Sequence, residues 1–332
     1  MTSDMVTWSG RLVFFLSVNT GFVKAGVPDR RFLDFYRSRS SPKLHCSIVG
    51  NVVVPGGFGT NALTPVLTTE PIWTDVVTAI RAAGSLPGIQ LATTWSGYVG
   101  SRKFLASNPG GFIPRARRLV ETIGSDGAAA VVESFDLAAD IAMQHGFGHI
   151  QIHAAHGYLL NLLVDRRINR AASGVLDRLA LLSERLKQNG VQTSIRISLK
   201  SGDPDFDSVG STEFQDAIAE LPFDFVDLSS GFYEVDKRLI YPARPDILEA
   251  RLQESLAIGL RHPRRSFILS GRSLGHDWST IPPNMHPGLC RDLIANPRFL
   301  LDRTSGCRNH GKCHYYSRGQ DSLTCARWDR DL

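Results

Sequence analysis

The sequence has no long apolar run and no block of like charges. None of its hydrophobic stretches approaches the roughly 18 consecutive apolar residues of a membrane span, so we expect no membrane partner. The 37 basic and 32 acidic residues leave a net charge of +5 that is spread along 332 residues. Nucleic acid is therefore not an expected partner. The apolar run LVFFLSV at 12–18 has no small-residue cleavage site after it, which favours a first strand over a secretion signal.

Cysteine is scarce and odd in number. Five cysteines in a chain of this length do not make a disulfide framework, so we expect a cytoplasmic protein. The sequence also lacks a G-x-G-x-x-G motif after a strand, so a separate dinucleotide-binding domain is not expected.

Apolar runs alternate with helical patterns along the whole chain. The predicted strands are Leu12–Val18, His45–Val54, Ile89–Thr93, His149–His153, Thr193–Ser198, Phe225–Ser229, Ser266–Ser270 and a weak eighth within Met285–Cys290. The predicted helices are Asp29–Ser38, Thr74–Ala83, Ser134–His145 with Ser134 as N-cap, Leu176–Asn189, Thr212–Glu220 and Asp246–Arg261. This alternation predicts an α/β protein, a (β/α)₈ TIM barrel in a single domain over 1–332. The seventh helix is trimmed, because Pro282, Pro283 and Pro287 favour a loop there.

Polar side chains follow the fourth predicted strand in the stretch IQIHAAHGYLL, 150–160. In (β/α)₈ barrels the chemistry lies at the carboxyl ends of the strands, which is where His153 falls, with His156 and Tyr158 just beyond it. The two histidines could be metal ligands, an acid and base pair, or two donors that bind one oxygen. They could equally be ordinary residues, one bonded to buried backbone and the other solvated.

A longer string around these residues resembles a known family. The segment IHAAHGYLLNLLVDRRINR, Ile152–Arg170, resembles the Old Yellow Enzyme family of FMN-dependent ene-reductases. Further pieces resemble the family in the expected order: Gly10–Gly21, Ile89–Leu91, Ser194–Ser198, Asp227–Gly231, Phe267–Arg272 and Cys290–Pro297. One departure is Cys290, which stands before Arg291 where the family prefers glycine.

The resemblance implies an FMN site and assigns roles to single residues. It implies that Gly271, Arg272 and Arg291 hold the FMN phosphate, while Arg196, Gln90 and Asn19 contact the flavin ring. It implies that His153 and His156 bind a carbonyl oxygen and that Tyr158 donates a proton. Each residue also has a structural alternative: an ion pair for Arg196, backbone bonding for Gln90, a turn for Asn19, packing for Tyr158 and a solvated charge for Arg291.

The resemblance further implies hydride transfer from NADH or NADPH, through the flavin, to an activated C=C bond of a small enone-type substrate. The trimmed barrel keeps two alternatives open: a flavin-dependent desaturase or isomerase, and a non-catalytic barrel that has lost FMN and acts as a binding protein. The sequence does not fix the oligomeric state, and a homo-oligomer stays open.

The C-terminal segment, about 305–328, carries the remaining motif. Cys307, His310, Cys313 and Cys325 have the spacing C-x₂-H-x₂-C-x₁₁-C. This spacing resembles the cysteine cluster of the larger iron–sulfur members of the same family. Three thiolates and an imidazole could bind zinc or an iron–sulfur cluster, and a metal-free segment is the alternative.

Overall fold

A computed structural model shows a closed parallel barrel. It describes Trp8 and residues 10–100, 102–106, 108–301 and 305–328. In this part of the chain eight parallel strands close into one barrel. They are β1 Phe14–Phe15, β2 Cys46–Val53, β3 Leu86–Ala92, β4 His149–Ala154, β5 Gln192–Ser198, β6 Phe225–Ser229, β7 Ser266–Leu269 and β8 Met285–Leu289. The predicted (β/α)₈ barrel is confirmed, and every predicted strand overlaps an observed one.

Helices surround the barrel. They are α1 Arg30–Arg39, α2 Ile72–Ala82, α3 Phe112–His145, α4 Leu159–Val164, α5 Ala172–Gln188, α6 Pro204–Asp207, α7 Ser211–Ala219, α8 Lys237–Ile240, α9 Pro245–Arg261 and α10 Arg291–Ala295. A two-stranded hairpin, Val23–Lys24 with Val27–Pro28, follows β1. None of the described helices is long and apolar enough to cross a bilayer.

The aromatic face of α1 fixes the ends of the first two strands. Phe32, Phe35 and Tyr36 lie at i, i+3 and i+4 on one side of the helix and are buried. The hydroxyl of Tyr36 donates to the carbonyl of Val18 at 3.0 Å and accepts the N–H of Gly50 at 3.1 Å. A helix side chain thereby joins the segment just after β1 to Gly50 within β2.

Helix α3 differs from its prediction. It begins at Phe112 rather than Ser134 and contains a non-helical residue, Gly124, with φ of 66°. Ser134 lies inside it, and its hydroxyl donates to the carbonyl of Val131 at 2.6 Å, so the predicted N-cap is wrong. The break at Gly124 hid the first half of the helix from pattern reading, because glycine lowers helix propensity. The predicted end at His145 is confirmed, and Gly146 follows it in left-handed backbone with φ of 89°.

The connection between β7 and β8 lacks an α-helix in the described chain, as predicted. A short 3₁₀ turn, Ser273–Gly275, is followed by loop. The guanidinium of Arg11 holds this loop by donating to the backbone carbonyls of Trp278, Ile281, Pro282 and Met285. Side-chain hydrogen bonds therefore replace the packing that a helix would provide.

The amino end of the barrel carries a buried histidine that should make the fold sensitive to acid. His149 is fully buried, and its ring nitrogens lie 2.8 Å from Gln192 Oε1 and 2.8 Å from Ser194 Oγ. Burial lowers the pKa of His149 from 6.5 to about 4. Below pH 6.5 His149 binds a proton in the unfolded chain but stays neutral in the folded chain. Stability is therefore lost as pH falls from 6.5 towards 4.

We expect this one histidine to lower the free energy of unfolding by about 2 kcal/mol between neutral pH and pH 5, measured by urea denaturation. The control is His149→Gln, which retains hydrogen-bonding groups at the same position but does not titrate. Its pH slope should be shallower than that of the wild type. Equal slopes would show that His149 does not carry this acid sensitivity.

Candidate functional site

An open cavity lies at the carboxyl ends of the strands. Its volume is about 1460 Å³ including the solvent at its mouth. All nine residues predicted for catalysis and cofactor binding line it: Asn19, Gln90, His153, His156, Tyr158, Arg196, Gly271, Arg272 and Arg291. The structure therefore brings together residues that lie between positions 19 and 291 of the sequence.

The two histidines and the tyrosine form a compact group of rings. The ring centroids of His153 and His156 are 5.1 Å apart, and those of His153 and Tyr158 are 4.7 Å apart. His156 has φ of 64°, and its backbone N–H donates to Ser198 Oγ at 2.9 Å. This left-handed residue turns the chain back after β4, which places His156 and Tyr158 beside the strand end.

The electrostatics keep all three rings neutral. Burial and the nearby Arg196 hold the pKa of His153 well below its usual value. Burial, His153 and the cations Arg196 and Arg251 do the same to the pKa of His156. Burial and the neighbouring phenols Tyr233, Tyr98 and Tyr241 raise the pKa of Tyr158 well above its usual value. Neutral imidazoles and a protonated phenol are hydrogen-bond donors without charge, and they suit an oxygen that gains negative charge during a reaction.

Arg196 forms an ion pair, which was the structural alternative for it, and it also lines the cavity. Strand register places His153, Arg196 and Asp227 side by side on β4, β5 and β6. Nη1 of Arg196 donates to Asp227 Oδ2 in a short contact, and Nη2 donates to Ser229 Oγ at 3.1 Å. The residue is thus an ion-pair partner of a fully buried carboxylate and also a lining residue of the cavity.

Gln90 belongs to a polar row inside the barrel. Its amide donates to Gln151 Oε1 at 2.6 Å, and Gln151 donates in turn to Ser194 Oγ and Asp227 Oδ2. This row orients the Gln90 amide, which is 2% exposed and lines the cavity.

The remaining predicted cofactor residues lie at the same end. Asn19 donates to Thr64 Oγ1 at 3.2 Å and accepts the hydroxyl of Tyr315 at 3.0 Å. Its Oδ1 also accepts the N–H of Gly21 at 3.3 Å, so Asn19 both lines the cavity and stabilises the turn after β1. Gly271 and Arg272 both adopt left-handed backbone, with φ of 90° and 63°. Arg291 starts α10 and donates to the carbonyl of Pro242 and, at 3.3 Å, to Asn309 Oδ1.

Pattern reading missed several cavity residues. Arg251, on α9, is buried and donates to Ser270 Oγ at 2.6 Å, yet its Nε lacks a hydrogen-bond partner among the described residues. A Cβ on Gly271 would lie 2.7 Å from that Nε, so this arginine packs directly on the glycine. Nothing in the sequence marks one arginine of a 17-residue helix for this position, and only the helix register could have suggested it.

A group of phenols was also missed. Tyr233 stacks on Tyr158, with centroids 5.6 Å apart and planes 20° apart, and its hydroxyl lies 2.7 Å from that of Tyr241. Lys237 lies near them, with Nζ 5.7 Å from the Tyr233 ring and 3.0 Å from Ser317 Oγ. Tyr233, Lys237 and Tyr241 follow the segment Asp227–Gly231 in the chain. Their own segment shows the hydrophobic period of neither a strand nor a helix.

Charge in the cavity is mostly of one sign. The described lining residues include one acid, Asp292, and the five cations Arg196, Lys237, Arg251, Arg272 and Arg291. Such a wall favours an anionic ligand, because Lys237 and Arg251 are buried and the other three cations are partly buried.

The C-terminal segment covers one side of the cavity. Cys313, His314, Tyr315, Tyr316 and Ser317 line it together with Leu323. Leu323 donates its N–H to the carbonyl of Thr20 at 2.8 Å, and a Cβ on Gly21 would meet the Asp321 carbonyl at 2.3 Å. The segment is therefore pressed against the turn after β1.

The metal site predicted in this segment is not supported. Among the described residues, which include Cys307, His310, Cys313 and Cys325, no group of three or more His, Cys, Asp or Glu side chains could hold a metal ion. His310 is exposed, whereas Cys313 lines the cavity, where burial raises the pKa of its thiol to about 11. The sequence has the spacing described above, but the fold does not place the four side chains around one point.

Comparison with known proteins places the barrel among relatives. No family model matches the chain. It is 30% identical over 167 residues to 12-oxophytodienoate reductase 7 of Oryza sativa subsp. japonica, covering 43% of this chain and 41% of that protein. It is 22% identical over 240 residues to the NADH-dependent flavin oxidoreductase nadA of Aspergillus parasiticus, covering 63% and 53%. It is 23% identical over 175 residues to the NADH-dependent flavin oxidoreductase iliE of Hypocrea jecorina, covering 49% and 41%.

The solved structure of the old yellow enzyme homologue from Zymomonas mobilis superposes with a TM-score of 0.59 over 89% of both chains, at 16% identity. The chain has the barrel fold of this old yellow enzyme homologue and resembles flavin oxidoreductases in sequence. The aligned segments span about half the length of the relatives matched by sequence. The predicted resemblance to the Old Yellow Enzyme family and the predicted barrel fold are thus confirmed.

Proposed function

We propose that this chain is an FMN-dependent oxidoreductase that passes hydride from NADH or NADPH to the activated C=C bond of an enone-type substrate. The observation that carries the proposal is the neutral pair His153 and His156 beside the protonated Tyr158, in a cavity that Arg196 and Gln90 also line. Relatives named as NADH-dependent flavin oxidoreductases and as an oxophytodienoate reductase support the same class of reaction.

The described residues fit FMN. Among the described residues, five cations and one acid line the cavity, which suits a dianionic phosphate. Beside Gly271, the buried Nε of Arg251 has no hydrogen-bond partner among these residues. Gly271, Arg272 and Arg291 would hold the phosphate end, while Arg196 and Gln90 would bond the ring. When bound, FMN would supply the hydride chemistry that no side chain of the protein can supply.

The side chains would have two further roles, which are to stabilise negative charge on the substrate and to donate a proton to it. His153 and His156 would donate hydrogen bonds to the carbonyl oxygen of the substrate and stabilise it as it gains negative charge. Tyr158 would give its proton to the α-carbon, and its raised pKa keeps that proton in place at neutral pH. Stacking against Tyr233 holds the phenol in position during this transfer.

A flavin spectrum tests the proposal. Purified protein supplied with FMN should absorb near ~450 nm, bleach when NADH or NADPH is added, and regain colour when an enone is added. Bleaching without recovery on addition of enone would contradict the proposed substrate class. Protein that takes up no FMN would overturn the proposal and favour a barrel that only binds ligands.

A further inference from the structure

Ser229, the last residue of β6, is fully buried where its hydroxyl meets three polar groups. Ser229 Oγ lies 2.7 Å from Nε2 of His156, 3.1 Å from Nη2 of Arg196 and 3.3 Å from Nη2 of Arg251. Two cations and one catalytic imidazole therefore share a single oxygen atom.

Counting donors and acceptors fixes the direction of each bond. A serine hydroxyl has one hydrogen and two lone pairs, and a guanidinium only donates. Arg196 and Arg251 can therefore only donate to Ser229 Oγ, and Nη2 of Arg251 shares its two hydrogens among this oxygen, Ser270 Oγ and the carbonyl of Leu228. Of the three groups that contact Ser229 Oγ, His156 alone can accept the hydroxyl hydrogen. Nε2 of His156 must then be the acceptor.

The two arginines are held in place by other partners. Arg196 is paired with Asp227 through its other terminal nitrogen. Arg251 also donates to Ser270 Oγ and to the carbonyls of Leu228 and Leu239. Because these contacts fix both guanidinium groups, neither turns away to release a lone pair of Ser229.

We propose that Ser229 is a positioning residue that holds His156 in the tautomer with its hydrogen on Nδ1. A neutral imidazole carries one N–H, and the bond to Ser229 assigns it. The catalytic consequence rests on the proposed function: the hydrogen bond that His156 offers to a substrate oxygen comes from Nδ1. Arg196 and Arg251 thus act on the imidazole of His156 indirectly, through the hydroxyl of Ser229.

Histidine-labelled ¹⁵N NMR of the full chain tests the assignment directly. In the wild type the His156 signals, identified by their loss in His156→Gln, should show a protonated Nδ1 and a bare Nε2. Ser229→Ala should change the tautomer ratio by roughly tenfold, the worth of one hydrogen bond. Ser229→Thr, which keeps a hydroxyl, should retain the wild-type ratio. The matched control Ser230→Ala should also retain it, because among the described residues the Ser230 hydroxyl bonds only the carbonyl of Ser229.

A wild-type spectrum with the hydrogen on Nε2, or an unchanged ratio in Ser229→Ala, would overturn the proposal. The spectrum needs neither enone nor NADH, so it decides the tautomer even if the wild type reduces no enone and the proposed function fails. Where the wild type is active, Ser229→Ala should slow enone reduction and spare flavin bleaching by NADH, and Ser229→Thr should restore the rate. Equal loss in both half-reactions would contradict a role through His156.

Discussion

Replacing Tyr158 by phenylalanine is expected to slow enone reduction by about 10²–10⁴-fold while leaving flavin bleaching by NADH unchanged. The substitution removes one hydroxyl and keeps the ring that stacks on Tyr233 and meets the edge of His153. Stopped-flow absorbance separates the two half-reactions, because bleaching reports flavin reduction and the return of colour reports transfer to the enone.

Tyr233→Phe is the matched comparison, since its ring lies 5.6 Å from that of Tyr158 in the same cavity. We expect a smaller loss in this variant, because the Tyr158 ring approaches His153 to 4.7 Å, whereas the Tyr233 ring approaches His156 to 5.7 Å. A larger loss in Tyr233→Phe than in Tyr158→Phe would transfer the proton-donor role to Tyr233. An equal slowing of both half-reactions in Tyr158→Phe would indicate damage to the cavity rather than loss of a proton donor.

Replacing Arg196 by leucine is expected to lower the free energy of unfolding by about 3–5 kcal/mol, because it leaves the carboxylate of Asp227 buried without its cation. Asp227 is completely inaccessible to solvent, and one of its oxygens already has no hydrogen-bond partner among the described residues. Urea denaturation at neutral pH measures the loss.

Two further variants identify the cause. Removing both charges with Arg196→Met and Asp227→Leu should recover most of the loss, because an apolar pair of similar size needs no counter-charge. Arg244→Leu breaks an ion pair whose side chains are 64% and 60% exposed, and should leave the free energy of unfolding nearly unchanged because solvent screens such a pair. If Arg196→Leu costs no more than Arg244→Leu, the buried pair does not stabilise the barrel as argued.

The strands and the ring cluster were predictable because their signals are local. An apolar run that ends in a polar residue marks the end of a strand, and parallel strands bring those ends to one face, so His153 and Arg196 could be placed together. Even β8 was found, although Pro287 and Gly288 weaken its pattern. The prolines explain in the same local terms why the described chain has no α-helix between β7 and β8.

The contacts that could not be predicted join residues that lie far apart in the sequence. Arg251 reaches the cavity because α9 packs behind β6 and β7, and Tyr233 stacks on Tyr158 across 75 residues. The C-terminal segment misled pattern reading in the opposite way. Its cysteine spacing predicted a metal site, whereas in the folded chain the segment lies against the turn after β1 and Cys313 faces the cavity.

The contact between Tyr315 and Asn19 joins residues 296 positions apart. Such a contact forms only after the chain between them is ordered, since closing a long loop costs entropy that the intervening barrel must first offset. The segment at 305–328 is held to the barrel by hydrogen bonds and by buried side chains such as Tyr315 and Leu323, rather than by a strand ladder. A ligand in the cavity that contacts Cys313 or Tyr315 would therefore also stabilise the position of this segment.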